Sequence, residues 1–236
     1  MAGAEAELKK ALAFDPKNEE AENMYGLVYL VKAQQSEQLL ETSDCIRGKD
    51  AESIRAEADD NMRVAATHFA RATELAPDYG EAWQNRGVAA MHFHDWDHAI
   101  QYLTTALERQ ERLVSAALTR ANLGWAYFHK QDFAHATSEL LQANQGARYF
   151  CLGKYRLASV YFARKEYDQA RDALSPIFGD DKLCPPLPEA HYLGGQTFVR
   201  LREREAAEKA FASCVKMAPK SCQARDCKKA LAELTP

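Results

Sequence analysis

Residues 91–100 read MHFHDWDHAI, which sets His92, His94, Asp95, Asp97 and His98 within seven positions. Imidazoles and carboxylates ligate divalent metals and exchange protons near neutral pH, so this stretch raises a metal or acid–base site first. Cys45, Cys151, Cys184, Cys214, Cys222 and Cys227 are the other reactive side chains. None forms a C-x-x-C pair, which speaks against zinc-ribbon or thioredoxin-type chemistry. H-E-x-x-H, G-x-S-x-G and a Gly-rich phosphate loop are all missing. The paired acids Asp59–Asp60 and Asp180–Asp181 fall in turn-like or exposed segments, where solvated charge explains them. Neither an enzyme nor a cofactor is expected.

The elements that position these residues follow from the rest of the chain. Its 236 residues are 47% hydrophobic, enough for a sizeable core, and carry a formal net charge of −4. That charge disfavours nucleic acid as a partner, since phosphate neutralisation needs clustered Lys and Arg. No apolar run is long enough to span a membrane. The opening MAGAEAELKK has no apolar signal-peptide core.

An internal repeat governs the sequence. From Gly124, Tyr127 follows at offset 3, Phe133 at 9, Ala136 at 12, Leu140 at 16 and Ala143 at 19. From Gly87, the same slots hold Trp96, Ala99, Leu103 and Ala106; from Ala158, they hold Tyr161, Tyr167, Ala170, Leu174 and Ile177. From Gly195 come Phe198, Ala207, Phe211 and Cys214, with Pro219 closing the unit. Gly26 and Tyr29 begin a unit whose second half is Ala65, Phe69, Ala72 and Pro77. Ala4, Leu8, Ala11 and Pro16 form a second half alone. Small residues at offsets 0 and 12 let two antiparallel helices cross closely, aromatics fill the space beside the crossing, and Pro ends the second helix. Such a pair cannot bury its apolar face alone, so neighbours must stack.

This pattern resembles the tetratricopeptide repeat family over nearly the whole chain. The expectation is all-α: a right-handed superhelical solenoid of about five and a half to six units, forming one domain over 1–236. A capping helix is expected at about 221–234. Pro16 to Pro77 is 61 positions where the repeat needs 34, so about 27 residues are inserted. The segment at about 33–62 is rich in helix formers, with one breaker at Gly48. It reads as elongation of both helices of its unit, turning at about Arg47–Asp50.

The repeat also accounts for the histidines. Trp96 takes the aromatic slot of Phe133 and Tyr167, Ala99 the small slot, and Asp95 the helix-start slot of Asp132 and Glu166, where a carboxylate complements the helix dipole. His98 matches His135, and His92 matches His129. They recur with the repeat and need not converge, so no metal is expected. His92 and His129 should lie on neighbouring first helices as a pH-sensitive polar edge.

Proteins of this architecture bind along the inner surface made by their first helices. The repeat register puts Leu27, Leu30, Val88, Met91, His92, Trp125, Phe128, His129, Tyr155, Phe162 and Tyr192 there. Chaperone-binding relatives capture a carboxylate with Lys three before and Asn one after the Gly. Val88 and Trp125 stand in the Asn position here, which disfavours that function. The apolar, aromatic lining suits an amphipathic helix or an extended apolar peptide.

Cys151 and Cys184 open consecutive first helices and can approach each other if CPPLP folds back. Cys214 sits in a core slot against the capping helix, with Cys222 or Cys227 in reach. At least one of these clusters is expected to be bridged. Cys45, near the tip of the insertion, reads as free or intermolecular.

A narrower resemblance rests on RGVAAMHFHDWDHAIQYLTTALE, NLGWAYFHKQDFAHATSELLQAN and KYRLASVYFARKEYDQARDAL. These segments resemble the type IV pilus pilotins, the PilF/PilW/Tgl group, and fit the Tgl branch best. The resemblance implies a monomeric, non-catalytic lipoprotein at the periplasmic face of the outer membrane, which helps the pilus secretin localise and assemble. Its N-terminal lipid anchor, the only membrane attachment, is missing from this chain. A periplasmic address would favour disulfides. The other reading is a general repeat scaffold for another multiprotein complex.

Overall fold

The computed structural model describes residues 2–43, 45–145, 150–179 and 184–234, apart from the side chains of 2, 42 and 43. The Asp180–Asp181 pair lies outside them. Among the described residues every regular element is helical. The helices are α1 (Ala2–Phe14), α2 (Glu19–Gln38), α3 (Lys49–Leu75), α4 (Gly80–His92), α5 (Trp96–Glu108) and α6 (Ala116–His129). They continue as α7 (Phe133–Asn144), α8 (Cys151–Ala163), α9 (Tyr167–Phe178), α10 (Pro188–Leu201), α11 (Arg204–Met217) and α12 (Cys222–Leu234). This is the order along the chain that the repeat demands: α1 stands for the half unit, ten helices follow where five units were expected, and α12 comes last.

The turns inside the pairs share one construction. His94, Gln131, Lys165 and Arg202 all have left-handed backbones, with φ of 56°, 61°, 63° and 63°. Each stands seven residues after the small residue that starts its register. A left-handed residue just past a helix lets the following N–H groups reach back to the helix's last carbonyls. Accordingly the Asp95 N–H donates to Ala90 O at 2.9 Å, Glu166 to Tyr161 O at 2.9 Å and Glu203 to Phe198 O at 2.9 Å. The residue after the left-handed one is acidic each time. The Asp95 and Asp132 side chains cap α5 and α7, accepting from the His98 and His135 backbone N–H groups. The imidazole Nδ1 of the same histidine sits 2.7 and 2.6 Å from the second carboxylate oxygen. These contacts hold both carboxyls below the usual carboxylate range. His94, Asp95 and His98 are therefore turn and cap residues.

The helix crossings follow from the small residues. A Cβ on Gly26 would fall 2.5 Å from the Phe69 ring, on Gly87 2.7 Å from Leu103, and on Gly195 2.4 Å from Phe211. In each case the intruding side chain is the offset-16 residue of the register, shifted by the insertion for Phe69.

The chain divides into two compact units, Met1–Glu37 with Gly48–Gln131, and Gln38–Arg47 with Asp132–Pro236. In the first, Leu30, Ala33, Met62, Ala65, Phe69 and Ala89 form a buried cluster. Leu30, expected on the inner surface, is only 7% exposed and belongs to this core, where Met62 of the lengthened α3 joins it. Buried polar groups in this unit pair across helices. The Asn85 amide donates to Asn23 Oδ1 at 2.9 Å, the Asn23 amide to the Tyr79 hydroxyl at 3.2 Å, and the Thr119 hydroxyl to Gln84 Oε1. Glu5 fastens α1 to α2, accepting from the Tyr29 hydroxyl at 3.0 Å and from Lys32 at 2.7 Å.

In the second unit, Cys151, Ala158, Leu174, Ile177, Ala190 and Leu193 form one core, and Ala207, Phe211, Cys214 and Cys227 another beneath α12. All six cysteines are paired: Cys151–Cys184, Cys214–Cys227 and Cys45–Cys222, with Cα separations of 5.7, 6.3 and 4.6 Å. The last pair corrects the reading of Cys45 as free or intermolecular. The inserted segment lengthens α2 to 20 residues and α3 to 27, with a π-helical turn at Leu39–Ser43 before Gly48. Residues 39–43 pack on α12, so Cys45 meets Cys222.

Candidate functional site

Seven of the eleven candidate binding residues line two clefts, one in each unit. In the first, α4 presents Val88, Met91 and His92 to a cleft of about 330 Å³, and α6 adds Trp125 and His129. The turn supplies His94 and Trp96, and the long helices α2 and α3 wall the cleft with Gln34, Glu37 and Met62. The His129 ring lies flat on Trp96, with centroids 4.2 Å apart and planes 3° apart. Trp125 stacks on Phe128 at 4.8 Å and meets the edge of His129 at 4.9 Å. The aromatic face of α6 is thus packed ring against ring. Leu27 and Val88 also pack against the core cluster beneath, so part of the expected lining is shared with the interior.

His92 is the most constrained polar group of this cleft. Its Nδ1 lies 2.9 Å from Glu37 Oε1 and its Nε2 2.8 Å from Asp59 Oδ1, with the side chain 9% exposed. The Glu37 contact, aided by Asp59 and opposed by burial, raises its pKa above the ordinary histidine value. The two carboxylates approach opposite ring nitrogens, so this trio cannot close around one ion. Among the described residues no group of three His, Cys, Asp or Glu side chains is arranged to hold a metal.

In the second unit Phe162 of α8 and Tyr192 of α10 line a cleft of about 430 Å³. Gln196, Val199 and Arg200 continue it along α10, and Ala230, Glu233 and Leu234 of α12 close it. Tyr155 is not in this cleft; it packs on the core around Cys151 and Leu193, and burial pushes its hydroxyl pKa up. Sequence reasoning missed the walls contributed by the insertion and by α12. The usable signal was the length of the inserted helices, which must cover something, and the apolar stripe of the closing helix.

The fold is that of a tetratricopeptide-repeat solenoid. Residues 188–221, spanning α10 and α11, match the tetratricopeptide repeat model. A search of curated proteins by sequence finds no match. Among solved structures the chain is similar to PilW, described as a widely conserved type IV pilus biogenesis factor, at TM-score 0.66 and 18% identity. That match covers 94% of this chain and 87% of PilW. It is also similar to PilF of Pseudomonas aeruginosa, at TM-score 0.58 and 16% identity over 89% of this chain and 96% of the other. A third is YrrB, described as a TPR protein with an unusual peptide-binding site, at TM-score 0.58 and 15% identity. Here 94% of this chain and 97% of YrrB are covered.

Proposed function

We propose that this protein is a non-catalytic assembly factor of the pilotin kind. It binds a type IV pilus secretin at the periplasmic face of the outer membrane and promotes its localisation and multimerisation. The supporting observation is that a PilW-like helical fold over 94% of the chain carries three disulfides that use every cysteine. Disulfides persist in oxidising compartments such as the bacterial periplasm and are rare in the cytosol. The two clefts offer apolar, aromatic surfaces edged by charge, which suit a peptide segment of a partner.

The test is secretin assembly in the native host. Deleting the gene should abolish the heat-resistant secretin multimer, and restoring the wild type should return it. Trp125→Glu and Tyr192→Glu, each folded, should restore it poorly. Normal multimers in the deletion strain would overturn the reading in favour of a scaffold for another complex. Full rescue by both variants would place the partner on another face.

A further inference from the structure

The three-residue clasp at the edge of the first cleft has a chemistry that neither the repeat register nor the proposed partner requires. A neutral imidazole carries one N–H and one lone pair, so it can donate to only one acceptor. His92 has a carboxylate oxygen within 2.9 Å of each ring nitrogen. Only the imidazolium, a donor at both nitrogens, satisfies that arrangement; a neutral ring would turn a lone pair toward a carboxylate. The three groups come from three helices: Glu37 from the end of α2, Asp59 from the middle of α3 and His92 from the end of α4.

We propose that His92 is a proton-operated latch. In its charged form it pins the end of α2 and the first half of α3 onto α4, and loss of the proton releases them and widens the cleft they wall. The consequence for the cleft is geometric. Glu37, Gln34 and Met62 form its α2–α3 wall, and His92 is the polar connection from that wall to α4 beside Trp96 and Trp125. The proposal holds whatever partner occupies the cleft.

The other charged groups around the latch do not supply a substitute. On α3, Asp60 is paired with Arg63, whose guanidinium lies over the Phe93 ring at 5.8 Å. Beyond α4, His94 and His129 face Trp96 at 5.3 and 4.2 Å, and Asp95 is engaged by His98. On α2, Lys32 is held by Glu5. The direction of the effect follows from linkage. A histidine whose pKa is raised by folding contributes stability that is complete below its unfolded value and is lost as pH rises through the folded one. The latch is therefore fully closed below the ordinary histidine value and opens as pH rises through the raised one.

The test combines a direct titration with a local readout on the full disulfide-bonded chain. Imidazole resonances followed by NMR should show His92 titrating above the ordinary value of about 6.5. In the Glu37→Gln/Asp59→Asn double variant the titration should move down toward it. Hydrogen exchange, corrected for intrinsic rates, should lose protection in residues 49–62 as pH rises through the measured midpoint in the wild type. The loss should be absent in His92→Gln and in the double variant, which changes only half-exposed side chains and preserves the fold should His92→Gln prove unstable. A wild-type His92 that titrates at or below the ordinary value, or exchange in 49–62 that ignores pH, overturns the proposal. So does the same pH-dependent loosening in the folded double variant.

Discussion

Breaking the Cys45–Cys222 bridge should destabilise this protein more than breaking either of the others. The bridge closes a sequence separation of 177, against 33 for Cys151–Cys184 and 13 for Cys214–Cys227. In the chain-entropy description the closed loop limits the unfolded ensemble in proportion to the logarithm of its length. Applied to these separations it gives about 5, about 4 and about 3 kcal/mol. The first two can be compared cleanly, because Cys45 and Cys184 are both half-buried while Cys222 and Cys151 are 5% and 3% exposed. Cys45→Ala and Cys184→Ala each cut one bridge from its accessible end and leave the buried partner in place. Urea unfolding followed by circular dichroism should lower the midpoint by roughly 2 M for Cys45→Ala, and by about half a molar less for Cys184→Ala. An unchanged midpoint in Cys45→Ala, or a loss in Cys184→Ala as large or larger, would refute the argument from loop length.

Gly195→Ala should lower the thermal midpoint despite alanine's better helix propensity, since the new methyl meets the buried Phe211 ring at 2.4 Å. Overpacking costs about 1–3 kcal/mol against a propensity gain of at most about 1 kcal/mol, whereas Gly3→Ala meets nothing within 4 Å and should gain slightly. Equal shifts in the two variants would dismiss the crossing argument. The Glu5 carboxyl is held down to about 2 by Lys32 first, then Lys9 and Tyr29. A depressed pKa means that its hold on α1 is complete above the ordinary carboxylate value and fades as pH falls toward 2. Protection of α1 from hydrogen exchange, corrected for intrinsic rates, should therefore fall on acidification in the wild type and be low already at neutral pH in Glu5→Gln; matching profiles would dismiss Glu5 as the fastener.

The helix order was legible because the repeat is written in side-chain volume. Gly26, Gly87 and Gly195 must face Phe69, Leu103 and Phe211, and that spacing alone sets which helices pair. The caps were legible for a similar reason: an acid opening α5 and α7 answers a local need of the backbone. The register also brought His92, Trp125 and His129 to one cleft. What it missed depends on groups far apart in sequence. The partners of His92 sit on the insertion, where no repeat supplies a register, and Cys45 meets Cys222 across 177 residues. Leu30 occupies a surface slot in an ordinary unit and here shares a core with Met62 of the 27-residue α3.

The cross-helix amides of the first unit bear on how such a protein can change over generations. Apolar faces of stacked helix pairs are nearly interchangeable, which is why repeat arrays gain and lose modules readily. Asn85, matched to Asn23, and Gln84, matched to Thr119, are not interchangeable in that way, since each of these buried amides meets a fitting polar group on the neighbouring helix. A duplication or loss that inserted a foreign pair beside α4 would strand polar atoms away from water, at a cost of about 1–3 kcal/mol for each. Those contacts act as an address, fixing the sequence of modules in this part of the chain as well as their stability.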